Sequence, residues 1–377
     1  MSTNGFTSVS EYKTARAPGK LILSGEHAVV YGAPALSVAI DSYTDVWFTP
    51  IHRSAGLRTA FDNLSRGHFY PFELLKSFKQ GLDTRFDAFM RGELPVQKIM
   101  QRPDDLAVYT MASLLQVLPV PGRASRRRLP VPGQLSSRSD LPLGAGMGSS
   151  SAVIAATIVL YEHLLGLSQD AKERFERVRF CERLQHGKGS FTDAAAVVFG
   201  GMNQVRNEEV TAIEMAPDHP LLQGRGWYWV LHGTPEASTG ECVAAVRSSH
   251  GHDKGLWQTF EQTTLALQNA LAEKNDPTGI IRENHRLLQR IGVVPDATAR
   301  FIDAVEEVGG AAKISGAGST RGDYGGVKLV YMPDEDAMTA SMDRYPERRW
   351  AALRVSPQGA HLRQGLPDAR TDARQAV

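Results

Sequence analysis

Cysteine is scarce in this chain, neither sign of charge prevails, and no apolar run is long. The 377 residues include two cysteines, Cys181 and Cys242, too few for a disulfide framework and without metal-ligand spacing. They read as packing residues in a reducing cytosol. Lys and Arg number 42 against 41 Asp and Glu, a net charge of +1. No global field therefore recruits nucleic acid or an anionic membrane, and any anion has to be held by a local site. No segment approaches the roughly 18 uninterrupted apolar residues of a membrane span, and the opening MSTNGFTSVSEYKTARAP lacks the apolar core of a signal peptide. A cytoplasmic chain with a small-molecule partner is expected, without nucleic acid or membrane. At 42% hydrophobic and 22% charged, the composition is that of a globular protein long enough for two domains sharing a cleft.

LILSGEHAVVYG, PALSVAI and YTDVWFTP read as successive strands, apolar and β-branched, separated by Gly-Ala-Pro and Asp-Ser turns. From about residue 70 to 118, FELLKSFKQGLDTRFDAFM and DDLAVYTMASLLQVL place apolar residues three and four apart, predicting helices that cover one sheet face. PGRASRRRLPVPGQLSSRSDLP is a loop by composition, and its Arg126, Arg127 and Arg128 read as a solvated charge run. The final QGLPDARTDARQAV reads as a polar, mobile tail.

Three later segments carry chemistry. PLGAGMGSSSAVIAATIVLYEHLLG runs from glycines and serines straight into a long apolar helix. Glycines let backbone approach an anion, and the free amides and positive dipole end of a helix then point at it. The same letters also fit a tight loop capped by Ser149 or Ser150, and neither Walker nor dinucleotide spacing is present. In RFERVRFCERLQHGKGSFTDAAAVVFGGM, a helix carrying Glu182 and His186 four apart turns at Gly187 and Gly189 into Asp193. The Ala/Val run after Asp193 puts its carboxylate at the edge of a core, where it is costly unless paired or functional. Glu182 also fits a helix-surface residue, and Asp193 a helix N-cap. VEEVGGAAKISGAGSTRGDYGGVKLVYM supplies a second glycine loop ahead of the strand VKLVYM, suited to closing over the site that the first loop opens.

The ordered set APGKLILSGEHAVVYG, PLGAGMGSSSA, HGKGSFTDAAA and KISGAG resembles the three motifs of the GHMP kinases, over about residues 15 to 332. GEHAVVYG, CERLQHG, TPEASTGECVAAVR and ENHRLLQRIGVV resemble the mevalonate kinase branch in particular. The resemblance implies an α+β architecture: an N-terminal α/β domain of the ribosomal S5 domain 2 type over residues 1–221 and a C-terminal ferredoxin-like domain over 222–377, the boundary lying near PDHPLLQGRG. It also implies ATP-dependent phosphorylation of the 5-hydroxyl of mevalonate for isoprenoid synthesis. Phosphomevalonate kinase is the alternative, and an inactive ligand sensor a third reading, which retention of Lys20, Ser150, Glu182 and Asp193 together argues against.

Carried over by resemblance, Asp193 accepts the hydroxyl proton beside Lys20, and Ser150 and Glu182 hold Mg²⁺ against ATP. Whether Asp193 as base or Lys20 as stabiliser dominates stays open. Pro142, Gly144, Ala145, Gly146, Met147, Gly148, Ser149, Ser150 and Ser151, with Gly316, Ala317 and Gly318, correspond to the ATP-binding loops. Glu26 and His27 match the mevalonate pocket, and Thr239 matches a threonine near substrate or the aspartate, or is a simple loop hydroxyl. A homodimer is compatible with the family. Two departures stand out: GAGSTRGDYGG inserts Ser319, Thr320, Arg321 and Asp323 where the family continues with glycines, implying a longer lid, and KGSFTD replaces the usual PSGxD. GDYG and GKGS lean towards phosphomevalonate kinase, whose first motif has GEY; His27, in GEH, favours mevalonate.

Overall fold

The computed structural model describes residues 13–117, apart from 52, 63 and 66, and residues 132–367. The run Arg126–Arg128 and the last ten residues of the polar tail lie outside them. Among the described residues no helix is long and apolar enough to cross a membrane.

Seven strands open the first sheet: β1 (Lys13–Ser24), β2 (Ala35–Pro50), β3 (Gly56–Phe61), β4 (Phe69–Pro71), β5 (Gly133–Ser139), β6 (Met202–Arg206) and β7 (Glu209–Ile213). The second sheet holds β8 (Trp227–Leu231), β9 (Ala311–Ile314), β10 (Val327–Tyr331) and β11 (Arg349–Ala352). A last strand, β12 (His361–Gln364), returns to the first sheet and pairs with β1, Lys13 facing Gln364. The first sheet runs β12-β1-β2-β5-β3-β4, with β6 and β7 branching from β2.

Two expected strands are one. PALSVAI and YTDVWFTP form the 16-residue β2 without a turn at Asp41-Ser42. Pairing with β1 jumps from Gly19–Ile40 to Pro18–Tyr43, a bulge that absorbs the two polar residues. Asp41 N–H, freed from the ladder, donates to Arg354 O at 2.8 Å. GEHAVVYG, in contrast, is not strand: β1 stops at Ser24, and Ala28–Tyr31 form a single 3₁₀ turn closed by Gly32 at φ 88°.

Helices α1 (Leu75–Met90), α2 (Asp105–Val117), α3 (Ser149–Leu165), α4 (Ala171–His186) and α5 (Phe191–Phe199) belong to the first half. The helices expected over residues 70–118 do form, but α3 and α5 lie directly against β1 and β2, while α2 packs on α3 and α1 on α2. Composition explains the order of layers. α3, apolar on nearly every side, is buried between sheet and helices, whereas α1 is apolar along one stripe.

The short α6 (Pro220–Gln223) precedes β8, and α7 (Thr239–His250), α8 (Lys254–Glu273), α9 (Thr278–Arg290) and α10 (Asp296–Glu307) separate β8 from β9. α11 (Glu335–Asp343) joins β10 to β11. The second sheet runs β11-β8-β10-β9, all antiparallel, a β-α-β-β-α-β arrangement of the ferredoxin-like kind. Its two faces follow strand alternation: Trp227, Trp229, Val327 and Leu329 join the core shared with the first sheet, while Tyr228, Val230 and Val330 pack under Phe301, Ile302, Met338 and Met342.

The return of β12 depends on Gly200, which has φ 74° and would push a Cβ to 2.4 Å from the Gln358 carbonyl carbon and 2.5 Å from Gly359 N. Gly200→Ala is therefore expected to destabilise the chain by roughly 2–3 kcal/mol, from clash and positive φ together. Urea unfolding followed by circular dichroism measures this, and stability equal to wild type would contradict the tight closure.

Candidate active site

Lys20 stands in the middle of β1, where strand alternation points it off the sheet towards the start of α3. Its backbone N–H donates to Met147 O at 2.9 Å, so β1 holds the first glycine loop directly. Gly148, at φ 73°, lies on the lysine stem; a Cβ there would fall 2.8 Å from Lys20 Cγ. Lys20 Nζ reaches Asp193 Oδ1 at 3.1 Å, and the two side chains are 5% and 14% exposed. Residues 173 positions apart in the chain thus form a shielded ion pair.

Asp193 is not the N-cap of α5. Ser190 is: its Oγ accepts from Asp193 N–H at 3.2 Å, and the same hydroxyl donates to Asp193 Oδ1 at 3.0 Å. The aspartate sits in the first turn, where the helix dipole favours its charge.

Glu182 is wholly buried on α4, not on a helix surface. Its carboxylate accepts from the Ser151 hydroxyl, from Ser150 Oγ at 3.3 Å and from Ser190 N–H at 3.0 Å. Burial pushes the Glu182 carboxyl up to about 8, and the Asp193 charge adds to the rise against the pull of Ser151, Ser190 and Lys20. Serine hydroxyls and a carboxylate form the hard-oxygen donor set that Mg²⁺ takes.

The first glycine loop has positive φ at Gly144, Gly146 and Gly148 (69°, 83° and 73°). Gly148 is the N-cap of α3 and no side chain caps that helix, so neither Ser149 nor Ser150 fills the capping role. The first-turn amides are left for an anion. A cavity of about 590 Å³ opens beside the loop, lined by Pro142, Leu143, Gly144, Ser149 and Ser150 on one side and by Phe61, Leu64 and Leu106 on the other. Its size suits a small organic ligand. Ala145 and Met147 turn their side chains into the core and contribute backbone only, Ala145 O accepting from Val327 N–H at 3.2 Å.

The third glycine motif meets the first: a Cβ on Gly146 would lie 3.5 Å from Ser315 O. Three contacts tie it to the end of β1 and the GEH turn. Ile22 N–H donates to Ser315 Oγ at 2.8 Å, His27 Nε2–H donates to Ala317 O at 3.0 Å, and Lys313 pairs with Glu26. The Lys313 and Glu26 side chains are both buried, and Glu26 Oε2 is left without a hydrogen-bond partner. Burial lowers the pKa of His27, leaving a neutral ring. Gly318 packs where a Cβ would strike Val293 O at 2.1 Å.

The residues inserted after that motif fold back on α7. Arg321 Nη2 donates to Glu236 O at 2.9 Å and to Glu241 Oε1 at 3.1 Å, and Ala237 N–H donates to Ser319 Oγ at 3.1 Å. Thr239, exposed in the first turn of α7 next to the N-cap Ser238, is not within any of the contacts that join Lys20, Asp193 and Glu182. Sequence reading passed over Lys313 and Ser190. A lysine inside the apolar AAKIS and a serine three residues before Asp193 were the available signals.

A model of the GHMP kinases N terminal domain matches residues 118–201. The mevalonate kinase of Thermococcus onnurineus is 26% identical, covering 94% of this chain and 99% of its own length. The phosphomevalonate kinase of a Streptomyces species is 29% identical, over 90% and 94%. Among solved structures, the Methanococcus jannaschii mevalonate kinase superposes with a TM-score of 0.71 at 19% identity, over 91% of this chain and 98% of that one. That likeness concerns the α+β fold.

Glu182 yields a stability test. An acid whose folded pKa is raised binds its proton in the folded chain where the unfolded chain has lost it, so its contribution falls as pH rises from about 4.5 towards 8. The stability difference between wild type and Glu182→Gln is expected to shift over that window in favour of the glutamine, by up to about 1.4 kcal/mol per pH unit. Paired urea titrations at several pH values check it, and a difference independent of pH would refute the buried-acid state.

Proposed function

We propose that this chain, which belongs to the GHMP kinase superfamily, transfers the terminal phosphoryl group of ATP to the 5-hydroxyl of (R)-mevalonate, giving 5-phosphomevalonate for isoprenoid synthesis. At the coarser level the comparisons support a kinase acting on mevalonate or phosphomevalonate. The observation that carries the reading is the Lys20–Asp193 pair at 3.1 Å beside an uncapped glycine-loop helix start.

In this reading the loop from Pro142 to Ser151 holds the triphosphate on α3 amides, the nucleoside occupies the adjoining cavity, and Gly316–Gly318 closes from the other side. Asp193 takes the proton as the substrate oxygen forms its bond to the γ-phosphorus; the bond from that phosphorus to the β–γ bridging oxygen breaks and ADP leaves. Lys20 lies against the Asp193 carboxylate and balances charge on the moving phosphoryl group. Ser150 and Glu182 would hold Mg²⁺, which supplies charge neutralisation to the β- and γ-phosphates; a buried carboxyl pushed up to about 8 regains its charge beside such a cation.

Glu26 and His27 line the substrate wall, with the His27 Nε2–H already given to Ala317 O, so that Nδ1 is the ring atom left for a substrate hydroxyl. In this reading Thr239, exposed in the first turn of α7, is assigned to the substrate side. The division into 1–221 and 222–377 goes with this reading, the cleft lying between the two sheets.

Phosphomevalonate is the second reading, favoured by the 29% identity of the Streptomyces enzyme. A coupled assay offering mevalonate, phosphomevalonate, galactose and homoserine separates them; mevalonate is expected to have the highest kcat/KM, and a preference for phosphomevalonate would overturn the choice. Asp193→Ala is expected to cut turnover about 10²–10⁴-fold while leaving ATP affinity within a few-fold; unchanged turnover would remove Asp193 from the mechanism. Glu182→Gln is expected to raise the Mg²⁺ concentration needed for half-maximal rate, and wild-type metal dependence would contradict the ligand assignment.

A further inference from the structure

Among the described residues, the face of the second sheet turned away from the cleft gathers more basic side chains than acids at one corner. Lys328 of β10 and Trp350 of β11 both sit opposite Val230 of β8. Residues directly opposite in antiparallel strands project from the same face. The β8–β11 ladder ends at Leu231–Arg349, and the next position along brings His232 beside Arg348, again on the Val230 face. Register alone therefore gathers Lys328, Arg348 and His232 at one corner of the sheet, under Phe301 of α10.

This corner is short of acceptors. Lys328 is 1% exposed. The Arg348 and His232 side chains are 7% and 25% exposed. Arg348 lies over the rings of Phe301 and Tyr345, 4.0 and 3.9 Å from their centroids, which satisfies the plane of the guanidinium but not its N–H edges. Its Nε and Nη1 are buried without a hydrogen-bond acceptor among the described residues. The neighbouring acid is Glu347, whose Oε1 lies 3.4 Å from Arg348 Nε, outside hydrogen-bond alignment, and 3.8 Å from His232 Nε2. That carboxylate is 52% exposed. Burial, with Arg348 adding to it, pushes the Lys328 ammonium down to about 7, and burial lowers His232 as well. Buried cations are costly unless paired, and an anion beside them favours their charged forms.

We propose that this corner binds a phosphate-type oxyanion, held by Lys328, Arg348 and His232 at the open end of the sheet. One guanidinium, with a lysine and an imidazole that a bound anion would recharge, against one carboxylate suits a dianion better than a second carboxylate. The His232–Arg348 row lies past the last ladder pair, and His232, 25% exposed, is the member of the three that meets solvent. The site lies on the sheet face opposite the glycine loop, although its neighbours reach that side: His232 packs edge-on against Tyr324 at 4.8 Å, and Arg349, next to Arg348, lines the cavity beside the loop. Val327 and Leu329, on either side of Lys328, face the core shared with the first sheet, and it is Val327 N–H that meets Ala145 O.

The test is calorimetric titration of inorganic phosphate into the full chain, at constant ionic strength, with the nucleotide site saturated by a non-hydrolysable ATP analogue and Mg²⁺. Saturable one-to-one binding is expected, weakened at least tenfold in Lys328→Met and in His232→Gln, with phosphate-free turnover unchanged in both. Phosphate should raise the Tm of wild type but not of Lys328→Met. In phosphate-free buffer that variant should melt at or above wild type, because an unpaired buried cation has been removed. Glycerol 3-phosphate forms the second arm. Tighter binding than inorganic phosphate identifies a phosphoester as the occupant, and weaker binding identifies the free ion. No saturable heat in wild type, equal binding in both variants, or equally tight binding of acetate would overturn the proposal. None of these outcomes depends on Asp193, so the kinase reading stands or falls separately.

Discussion

A lysine on a central strand and an aspartate at the start of a helix, 3.1 Å apart and largely shielded from water, set the geometry around which the rest of the cleft is arranged. An ammonium so placed is tolerable because a carboxylate faces it, and the carboxylate because the first turn of α5 and two hydroxyls support it. Each neighbour then has a reason for its residue type. Gly148 must lack a side chain for the loop to lie on the Lys20 stem, and Ser190 must be a cap that also donates to the aspartate. Glu182, close enough to feel the same charge, is left as the acid of the site that burial holds back from ionising.

The second constraint is the joining of two sheets. β9 and the third glycine motif carry Lys313, Ser315 and Ala317 to the end of β1 and the GEH turn that follows it, and each finds a partner there. The end of β1, the GEH turn and the third glycine motif are therefore one bonded unit. The residues inserted after the motif do not extend a free lid; Ser319 and Arg321 fasten it to the start of α7.

Much of this was legible beforehand, and the failures have physical causes. Glycine runs before apolar helices, and a lysine in an apolar strand, are local signals, so Lys20, the α3 loop, Glu182 and Asp193 were all singled out. Asp41-Ser42 misled because a polar pair marks a turn in most contexts, whereas here Arg354, more than 300 residues away, takes up the freed amide. Ser190 was missed because a cap is read from the residue before the first apolar position, and Asp193 drew that assignment. Lys313 was missed because its partner is 287 residues distant.

By itself the sequence determined the local chemistry: which backbone segments must turn through glycine, which helix is apolar enough to be buried, and which few charged residues sit where water is scarce. Those follow from conformational freedom and side-chain solubility, properties each residue carries with it. Only the tertiary structure decided which charge faces which. Lys20 meets Asp193 while Lys313 meets Glu26, and among the described residues Arg348 has no acceptor for its Nε and Nη1, because pairing depends on strand register and layer order, and these are set by the packing of the whole core.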